Sequence, residues 1–330
     1  MPLPHLTRRR RRSILGSTGA PRRSACQRRR RGFVPMPSLA LRIPLVFLIL
    51  PVLAGCRAID VPADAEPTRT SALRPSATPR PERPAAPATP SGCTDLHGQV
   101  LAEELPIPGD SRTLAYRLYL PPCFDPESEA PYPTLYLLHG LAQSEAEWDE
   151  LGIDTVADRL ILDGSAPPFV IVMPGERTGF DMLSVMTGTL LPHLEASFPT
   201  GGEPDLRAVG GLSRGGGWAL RIGAQRTDMF GAIGLHSPAV LSPDLYLLPT
   251  WARQIPSGTT PRLWLDIGTD DTLLPAAREL RAVLDQLHWP YVWVLNRGEH
   301  TTSYWSEHLA QYLRWYAEGW PSSSRVDASG

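Results

Sequence analysis

The chain has 330 residues, of which 42% are hydrophobic and 20% are charged, and its formal net charge is −2. This is an ordinary globular composition with enough apolar material for one large core. The charge is unevenly spread: eleven of the 32 arginines lie in residues 1–35, whereas 20 arginines stand against 34 acidic residues from Cys56 onward. A body this acidic argues against nucleic-acid binding.

The first segment, residues 1–35, is a basic extension. It contains the runs Arg8–Arg12 and Arg28–Arg31 and has no hydrophobic periodicity. We expect it to be unstructured, with translation starting at Met36; a basic arm for nucleic acid is the alternative.

Residues 36–55 have the layout of a secretory signal: Arg42 precedes an apolar run from Ile43 to Leu53, and small residues follow. The run is too short to cross a bilayer as a helix, which takes about 20 residues. Its end, Leu53-Ala54-Gly55-Cys56, resembles a bacterial lipobox. We therefore expect export to the cell envelope and a lipid anchor on Cys56 that holds the protein on a membrane; plain secretion is the alternative.

Residues 56–92 contain eight prolines and few residues that could be buried, which predicts a flexible linker. The catalytic domain is predicted to span residues 93–320, and residues 321–330 read as a disordered tail. Because an exported protein meets an oxidising compartment, Cys93 and Cys123 are expected to form a disulfide. Two buried free thiols are the alternative.

Short β-like runs alternate with helical ones along the domain. The predicted strands are Gln99–Leu105, Thr113–Leu120, Thr134–Leu138, Phe169–Met173, Leu206–Gly210, Ala232–Leu235, Leu263–Ile267 and Tyr291–Leu295. The predicted helices are Thr155–Leu162, Met182–Phe198, Gly216–Ala224, Ala276–Leu287 and Tyr304–Ala317, and Gly175–Asp181 and Ser242–Pro256 are predicted to be loops. The alternation predicts an α/β fold, with a mostly parallel sheet and helices on both faces.

A candidate nucleophile lies between a predicted strand and a predicted helix. Gly211-Leu212-Ser213-Arg214-Gly215 matches the G-x-S-x-G pattern, and its context is the strand–turn–helix of a nucleophile elbow. The glycines two residues before and after Ser213 would allow the strained turn. A glycine-rich turn with an incidental serine is the alternative.

A serine hydroxyl needs a base, which follows the nucleophile in chain order in this arrangement. His288 ends a predicted helix and His308 lies inside one, whereas His300 lies in a loop just after a strand. We therefore expect His300 to be the base. Its orienting acid should follow the preceding strand, where Asp270 and Asp271 are both candidates; one of them could instead cap the next helix.

Two backbone amides are expected to form an oxyanion hole. One is the N–H of Arg214, which follows the nucleophile. The other is the N–H of Leu141, in the loop after the strand Thr134–Leu138. His139 is expected to shape that loop.

These motifs, together with Trp148, Asp266-Ile-Gly-Thr-Asp-Asp271 and Trp305 after Gly-Glu-His300, resemble the Putative esterase family over about Gln99 to Tyr316. That family includes S-formylglutathione hydrolase, feruloyl and acetyl-xylan esterases, enterochelin esterase and the antigen 85 mycolyltransferases. The resemblance implies an α/β-hydrolase fold and selects Asp271 as the acid. It also places Trp148 at the wall of an acyl or sugar pocket; a core aromatic is the alternative.

The expected activity is hydrolysis of a carboxylic ester through an acyl-enzyme, with Ser213, His300 and Asp271 as the triad. The substrate is expected to be a small-molecule or carbohydrate-linked ester. The mechanism needs no cofactor, and no metal-binding cluster stands out. An acyltransferase with the same triad and a non-enzymatic surface-binding protein are the alternatives.

Overall fold

The computed structural model describes residues 93–177 and 179–321, which belong to one compact unit of the chain. The predictions for the basic extension, the signal, Cys56 and the linker lie outside the described residues, as does nearly all of the predicted tail. In the part that is described, no helix is long and apolar enough to cross a membrane.

Eight strands form one sheet in the order β1-β2-β4-β3-β5-β6-β7-β8. The pairs β1–β2 and β2–β4 are antiparallel and the other five are parallel. The strands are β1 Gln99–Pro106, β2 Thr113–Leu120, β3 Thr134–Leu138, β4 Val170–Pro174, β5 Arg207–Leu212, β6 Ala232–His236, β7 Arg262–Gly268 and β8 Tyr291–Asn296. All eight predicted strands are therefore present; β2 and β3 have the predicted bounds, and the ends of the others shift by at most two residues.

Burial explains why the strands differ in sequence. Strands β3 to β6 are buried along their whole length and consist of apolar residues, glycine and a few polar ends, as expected for parallel strands covered on both faces. Strand β1 lies at the sheet edge and is mostly exposed, which accounts for its interleaved polar residues.

The helices are α1 Glu147–Glu150, α2 Ile153–Leu162, α3 Met182–Val185, α4 Leu191–Ser197, α5 Arg214–Gln225, α6 Asp244–Ala252, α7 Leu274–Leu287 and α8 Thr302–Ala317. One prediction about them was wrong: Ser242–Pro256, predicted as a loop, contains α6. The helix predicted over Met182–Phe198 is present from Met182 to Ser197, but a π-helical turn, Met186–Leu190, divides it into α3 and α4.

The chemistry of the 182–198 segment explains its division. Pro192 lies in the first turn of α4, and it has no backbone N–H to continue an α-helical ladder from the preceding residues. The wider turn at Met186–Leu190 falls just before it. The hydroxyl of Thr187 also donates to the Leu183 carbonyl at 2.8 Å, a bond that competes with regular helix geometry.

Helices cover both faces of the sheet and enclose two apolar layers. One layer lies under α3 to α7, and the other under α1, α2 and α8. Strand β3 contributes to both, because successive side chains point to opposite faces: Tyr136 and Leu138 join the first layer, and Leu135 and Leu137 the second.

The predicted disulfide is present. Cys93, the first described residue, is bonded to Cys123 just after β2, and 30 positions of the sequence separate the two. The bond therefore joins the entry of the domain to the far end of its second strand.

Candidate active site

Three loops meet at the carboxyl ends of the parallel strands. Ser213 follows β5, Asp271 follows β7 and His300 follows β8. Because these strands are parallel, their carboxyl ends lie on the same side, where α/β sheets assemble binding and catalytic groups. The three side chains lie far apart in the sequence, and the topology brings them together.

Ser213 occupies a strained turn between β5 and α5. Its backbone has φ 53° and ψ −119°, a combination that non-glycine residues rarely adopt. A Cβ on Gly211 would lie 2.3 Å from the backbone carbon of Gly215, and one on Gly215 would lie 2.1 Å from the carbonyl oxygen of Leu138. Both glycines of the predicted elbow are thus required by close backbone packing.

The backbone around Ser213 is also held from β6. The Ser213 N–H donates to the carbonyl of His236 at 2.9 Å, and the Ser213 carbonyl accepts from Ala239 N–H at 2.8 Å. These bonds attach the turn to β6 and to the loop after it, so the serine side chain is held at the carboxyl ends of the strands.

Ser213, His300 and Asp271 form a continuous chain of hydrogen bonds. The Ser213 Oγ lies 2.9 Å from His300 Nε2, and His300 Nδ1 lies 2.8 Å from Asp271 Oδ2. With its proton on Nδ1, the imidazole donates to the carboxylate and accepts from the hydroxyl. This is the geometry that lets a histidine take the proton of a serine as the serine attacks.

The two neighbouring aspartates face different surroundings. Burial alone would raise the pKa of Asp271, but hydrogen bonds from His300 and from the Leu273 N–H outweigh burial and hold that pKa below its usual value. Asp271 therefore remains ionised beside the imidazole. Asp270 is exposed, and its carboxylate accepts a hydrogen bond from the Thr269 hydroxyl.

The loop of His300 is fixed by the start of α8. Thr301 caps that helix by accepting the N–H of Tyr304 on its side-chain oxygen. The indole of Trp305 stands edge-on to the His300 ring, with centroids 5.0 Å apart. A backbone bond from Asp270 N–H to the Gly298 carbonyl joins this loop to the loop of the acid.

The predicted oxyanion amides, those of Leu141 and Arg214, follow β3 and β5, which are adjacent and parallel. Among the residues that the structure describes, neither N–H donates a hydrogen bond within the protein. Arg214 begins α5, so its N–H is also one of the free donors at a helix N-terminus, where negative charge is favoured. Leu141 is 69% exposed.

His139 orients the peptide that carries the Leu141 N–H. Its Nδ1 donates to the Gly140 carbonyl at 2.7 Å, and its Nε2 accepts the Glu176 N–H at 2.6 Å. The Gly140 carbonyl and the Leu141 N–H belong to one planar trans peptide, so they point in opposite directions. Binding the carbonyl therefore sets the direction of the N–H, as expected for a residue that shapes this loop.

Two glutamates that the sequence reasoning missed brace the same loop. Glu147 accepts the Gly140 N–H at 2.6 Å, and burial raises its pKa. Glu176 binds the guanidinium of Arg214 through two nitrogens, at 2.6 to 2.8 Å, while its own N–H binds His139. Glu176 thus joins the loops of both predicted oxyanion donors. The partners of Glu176, His139 and Arg214, lie 37 and 38 positions away, so no local pattern marks those contacts.

Of the two interpretations of Trp148, a pocket wall and a core aromatic, the structure agrees with the core aromatic. Its side chain is 1% exposed and lies in the apolar layer under α1, α2 and α8. Its indole N–H donates to the Leu138 carbonyl at 3.0 Å, at the end of β3. Trp148 is therefore a core aromatic that supports the strand from which the oxyanion loop departs.

The described residues contain one group of three potential metal ligands, Cys93, Asp95 and Cys123. Both sulfur atoms of this group are engaged in the disulfide, so they offer no thiolate. The group lies outside the site of Ser213.

Comparison with known proteins shows the family of the chain. The family model "Putative esterase" matches residues 111–316, which is more than half of the chain. An endo-1,4-beta-xylanase/feruloyl esterase of Xylanibacter ruminicola is 33% identical over 126 residues, covering 34% of this chain and 17% of that protein. An esterase of Mycobacterium tuberculosis is 36% identical over 138 residues, covering 37% of this chain and 29% of that protein.

The chain thus spans less than a third of the length of these two relatives. A solved ferulic acid esterase structure superimposes with a TM-score of 0.61 and 25% identity, covering 68% of this chain and 100% of that one. The eight-stranded, mostly parallel sheet and the matched segment lead to one conclusion. The chain belongs to the Putative esterase family, and its fold is that of an α/β-hydrolase.

Proposed function

We propose that the protein is a serine esterase, which hydrolyses a carboxylic ester through an acyl-enzyme on Ser213. The observation that carries the proposal is the unbroken chain of hydrogen bonds from Asp271 through His300 to the Ser213 hydroxyl. Two backbone N–H groups without partners in the described residues, those of Leu141 and Arg214, provide a second support.

In the first half of the reaction, Ser213 Oγ attacks the ester carbonyl carbon while its proton moves to His300 Nε2. The carbonyl oxygen becomes an oxyanion, and the amides of Leu141 and Arg214 donate to it. The ionised Asp271 stabilises the imidazolium. The tetrahedral intermediate then expels the alkoxide, which leaves as an alcohol with the proton from His300, and the acyl group remains on Ser213.

In the second half, water takes the place of the alcohol. His300 accepts a proton from the water as it attacks the acyl carbonyl, and the same amides bind the new oxyanion. Collapse of this intermediate releases the carboxylic acid and returns the proton to Ser213. The net reaction consumes one water and returns Ser213 and His300 to their starting states.

The proposed substrates are small-molecule or carbohydrate-linked esters. The names of a curated relative and of a structural neighbour refer to feruloyl esters, which makes hydroxycinnamoyl esters of sugars the first to try. We further propose that the protein is exported and held on a membrane by a lipid on Cys56, as the lipobox-like sequence predicts.

Replacing Ser213 tests the activity. Ser213→Ala should lose ester hydrolysis by on the order of 10⁴-fold or more, because the nucleophile is removed while the two amides and the binding site remain. The measurement is kcat/KM on an aryl acetate, with circular dichroism to show that the variant is folded. A fluorophosphonate should label the wild type and not the variant. Wild-type turnover by a clean Ser213→Ala preparation would refute the role of this serine.

A substrate panel tests the rest of the proposal. Aryl esters of increasing acyl length, feruloyl sugars and acetylated sugars should separate the substrate classes. Each should be assayed with and without an added alcohol. Release of free acid supports a hydrolase, whereas product that forms only when an alcohol accepts the acyl group would identify an acyltransferase.

A further inference from the structure

A carboxylate outside the triad, on β7, is buried between β6 and α8. The side chain of Asp266 is 0% exposed. Its Oδ1 accepts from His236 Nδ1 at 2.7 Å and Trp264 Nε1 at 2.9 Å. Its Oδ2 accepts the hydroxyls of Tyr304 and Tyr312, each at 2.9 Å. A carboxylate has about four acceptor sites, so these four donors satisfy it.

Tyr304 connects this carboxylate to the loop of His300. The tyrosine follows the histidine by four residues, and its ring packs directly under the loop: a Cβ on Gly298 would lie 2.6 Å from the Tyr304 ring. Its N–H donates to the side chain of Thr301, the residue next to His300. The hydroxyl, ring and backbone of Tyr304 therefore all hold the segment that carries the imidazole.

Tyr312 offers a comparison within the same helix. It binds the same oxygen of Asp266 at the same distance, and the two side chains are equally enclosed, at 3% and 1% exposure. Tyr312 lies eight residues further along α8, about 12 Å along the helix axis. Its ring stacks on His236 with centroids 3.8 Å apart.

Both tyrosines remain hydrogen-bond donors near neutral pH. Burial, together with the charge of Asp266, raises the pKa of Tyr304 and of Tyr312 above the usual tyrosine value. Neither hydroxyl therefore ionises near neutral pH, and both bonds to the carboxylate persist.

We infer that Tyr304 is a positioning residue for His300, and that Asp266 is the fixed point to which it attaches the start of α8. The inference rests on the proposed role of His300 as the base. With the Tyr304 hydroxyl on Asp266, the ring supports Gly298, and the imidazole stays within reach of both Ser213 and Asp271. Tyr312 makes an equivalent bond to Asp266, but its ring stacks on His236 rather than under the loop of His300.

The test compares Tyr304→Phe with Tyr312→Phe in the full chain. Each variant keeps its ring and loses one hydrogen bond to the same oxygen, and Tyr304→Phe also loses the long bond, 3.5 Å, that its hydroxyl accepts from Asn296 Nδ2. Both should therefore fold and lose similar thermal stability. Tyr304→Phe should lower kcat by about 10- to 100-fold, because small misplacements of a catalytic group cost that much, while KM changes little. Tyr312→Phe should keep kcat near the wild-type value. Equal kcat in the two variants would overturn the inference.

A second measurement does not require turnover. In the wild type, the Nδ1 proton of His300 should give a downfield NMR resonance, identified by its loss in Asp271→Asn. It should broaden through exchange with water in Tyr304→Phe and stay sharp in Tyr312→Phe. An unchanged resonance in Tyr304→Phe would contradict the inference. A wild type that hydrolyses no ester would contradict the proposed function, and the NMR comparison would still decide the role of Tyr304.

Discussion

Asp270 and Asp271 are neighbours in one turn, yet only Asp271 reaches the imidazole of His300. Composition and spacing left both as candidates, since each carries the same group at the end of the same strand; the family resemblance alone selected Asp271. In the structure, the Asp271 carboxylate turns inward and also accepts the N–H of Leu273, whereas the Asp270 carboxylate faces solvent. The turn, rather than the residue type, separates the two.

The aspartate pair supplies a matched test. Asp271→Asn should keep the fold but favour the wrong tautomer of His300, with a loss of kcat/KM of about 10⁴-fold by analogy with the serine-protease triad. Asp270→Asn changes the neighbouring residue in the same way and should have little effect. Both are measured on one aryl ester, with circular dichroism as the check on folding. A reversed order of damage would reassign the acid to Asp270.

At the residue scale, the sequence was informative where backbone geometry limits the side chain. Gly211 and Gly215 have no space for a Cβ, so the pattern around Ser213 is visible in the sequence itself. Glu176 gave no such signal, and Asp266 was noted only as part of the motif that ends at Asp271. Their importance comes from partners dozens of residues away, and a glutamate or aspartate in isolation looks the same whether it is exposed or buried.

At the scale of the elements, the strands were predictable and their order was not. Short apolar runs between helical segments mark buried strands wherever they lie in the sheet. In the sheet, β4 lies between β2 and β3, out of chain order. That position depends on how the connecting segments pack, and no local sequence pattern indicates it. Helix α6 was missed because Pro249 lies inside it and its apolar residues follow no clear helical face.

The disulfide between Cys93 and Cys123 encloses β1 and β2, and its contribution to stability can be measured. Replacing both Cys93 and Cys123 with serine should lower the free energy of unfolding by about 3.5 kcal/mol, because the bridge restricts a loop of about 30 residues in the unfolded chain. Urea unfolding of the oxidised wild type, the reduced wild type and the double variant measures this. The reduced wild type should behave like the variant. Identical midpoints for all three would show that the bridge adds no stability.

At the scale of the whole molecule, the proposed location depends on Cys56. Cys56→Ser should release the protein from the membrane fraction or stop its processing, because no other residue would carry the lipid. Cys26→Ser is the control, since Cys26 lies in the basic extension and should not matter. Fractionation of expressing cells, with mass spectrometry of the N-terminus, is the measurement. A wild type found soluble with Met1 or Met36 still in place would refute the anchor.

The Cys93–Cys123 bridge also sets the path that a mechanical force takes into the domain. Tension applied to the chain before Cys93 passes across the sulfur atoms to Cys123, so residues 94–122, including β1 and β2, carry none of it. Strand β1 lies at the edge of the sheet and pairs only with β2, and without the bridge a pull would act on β1 first. The oxidised domain can therefore be held by its N-terminal side under drag while its most easily peeled strand stays unstressed.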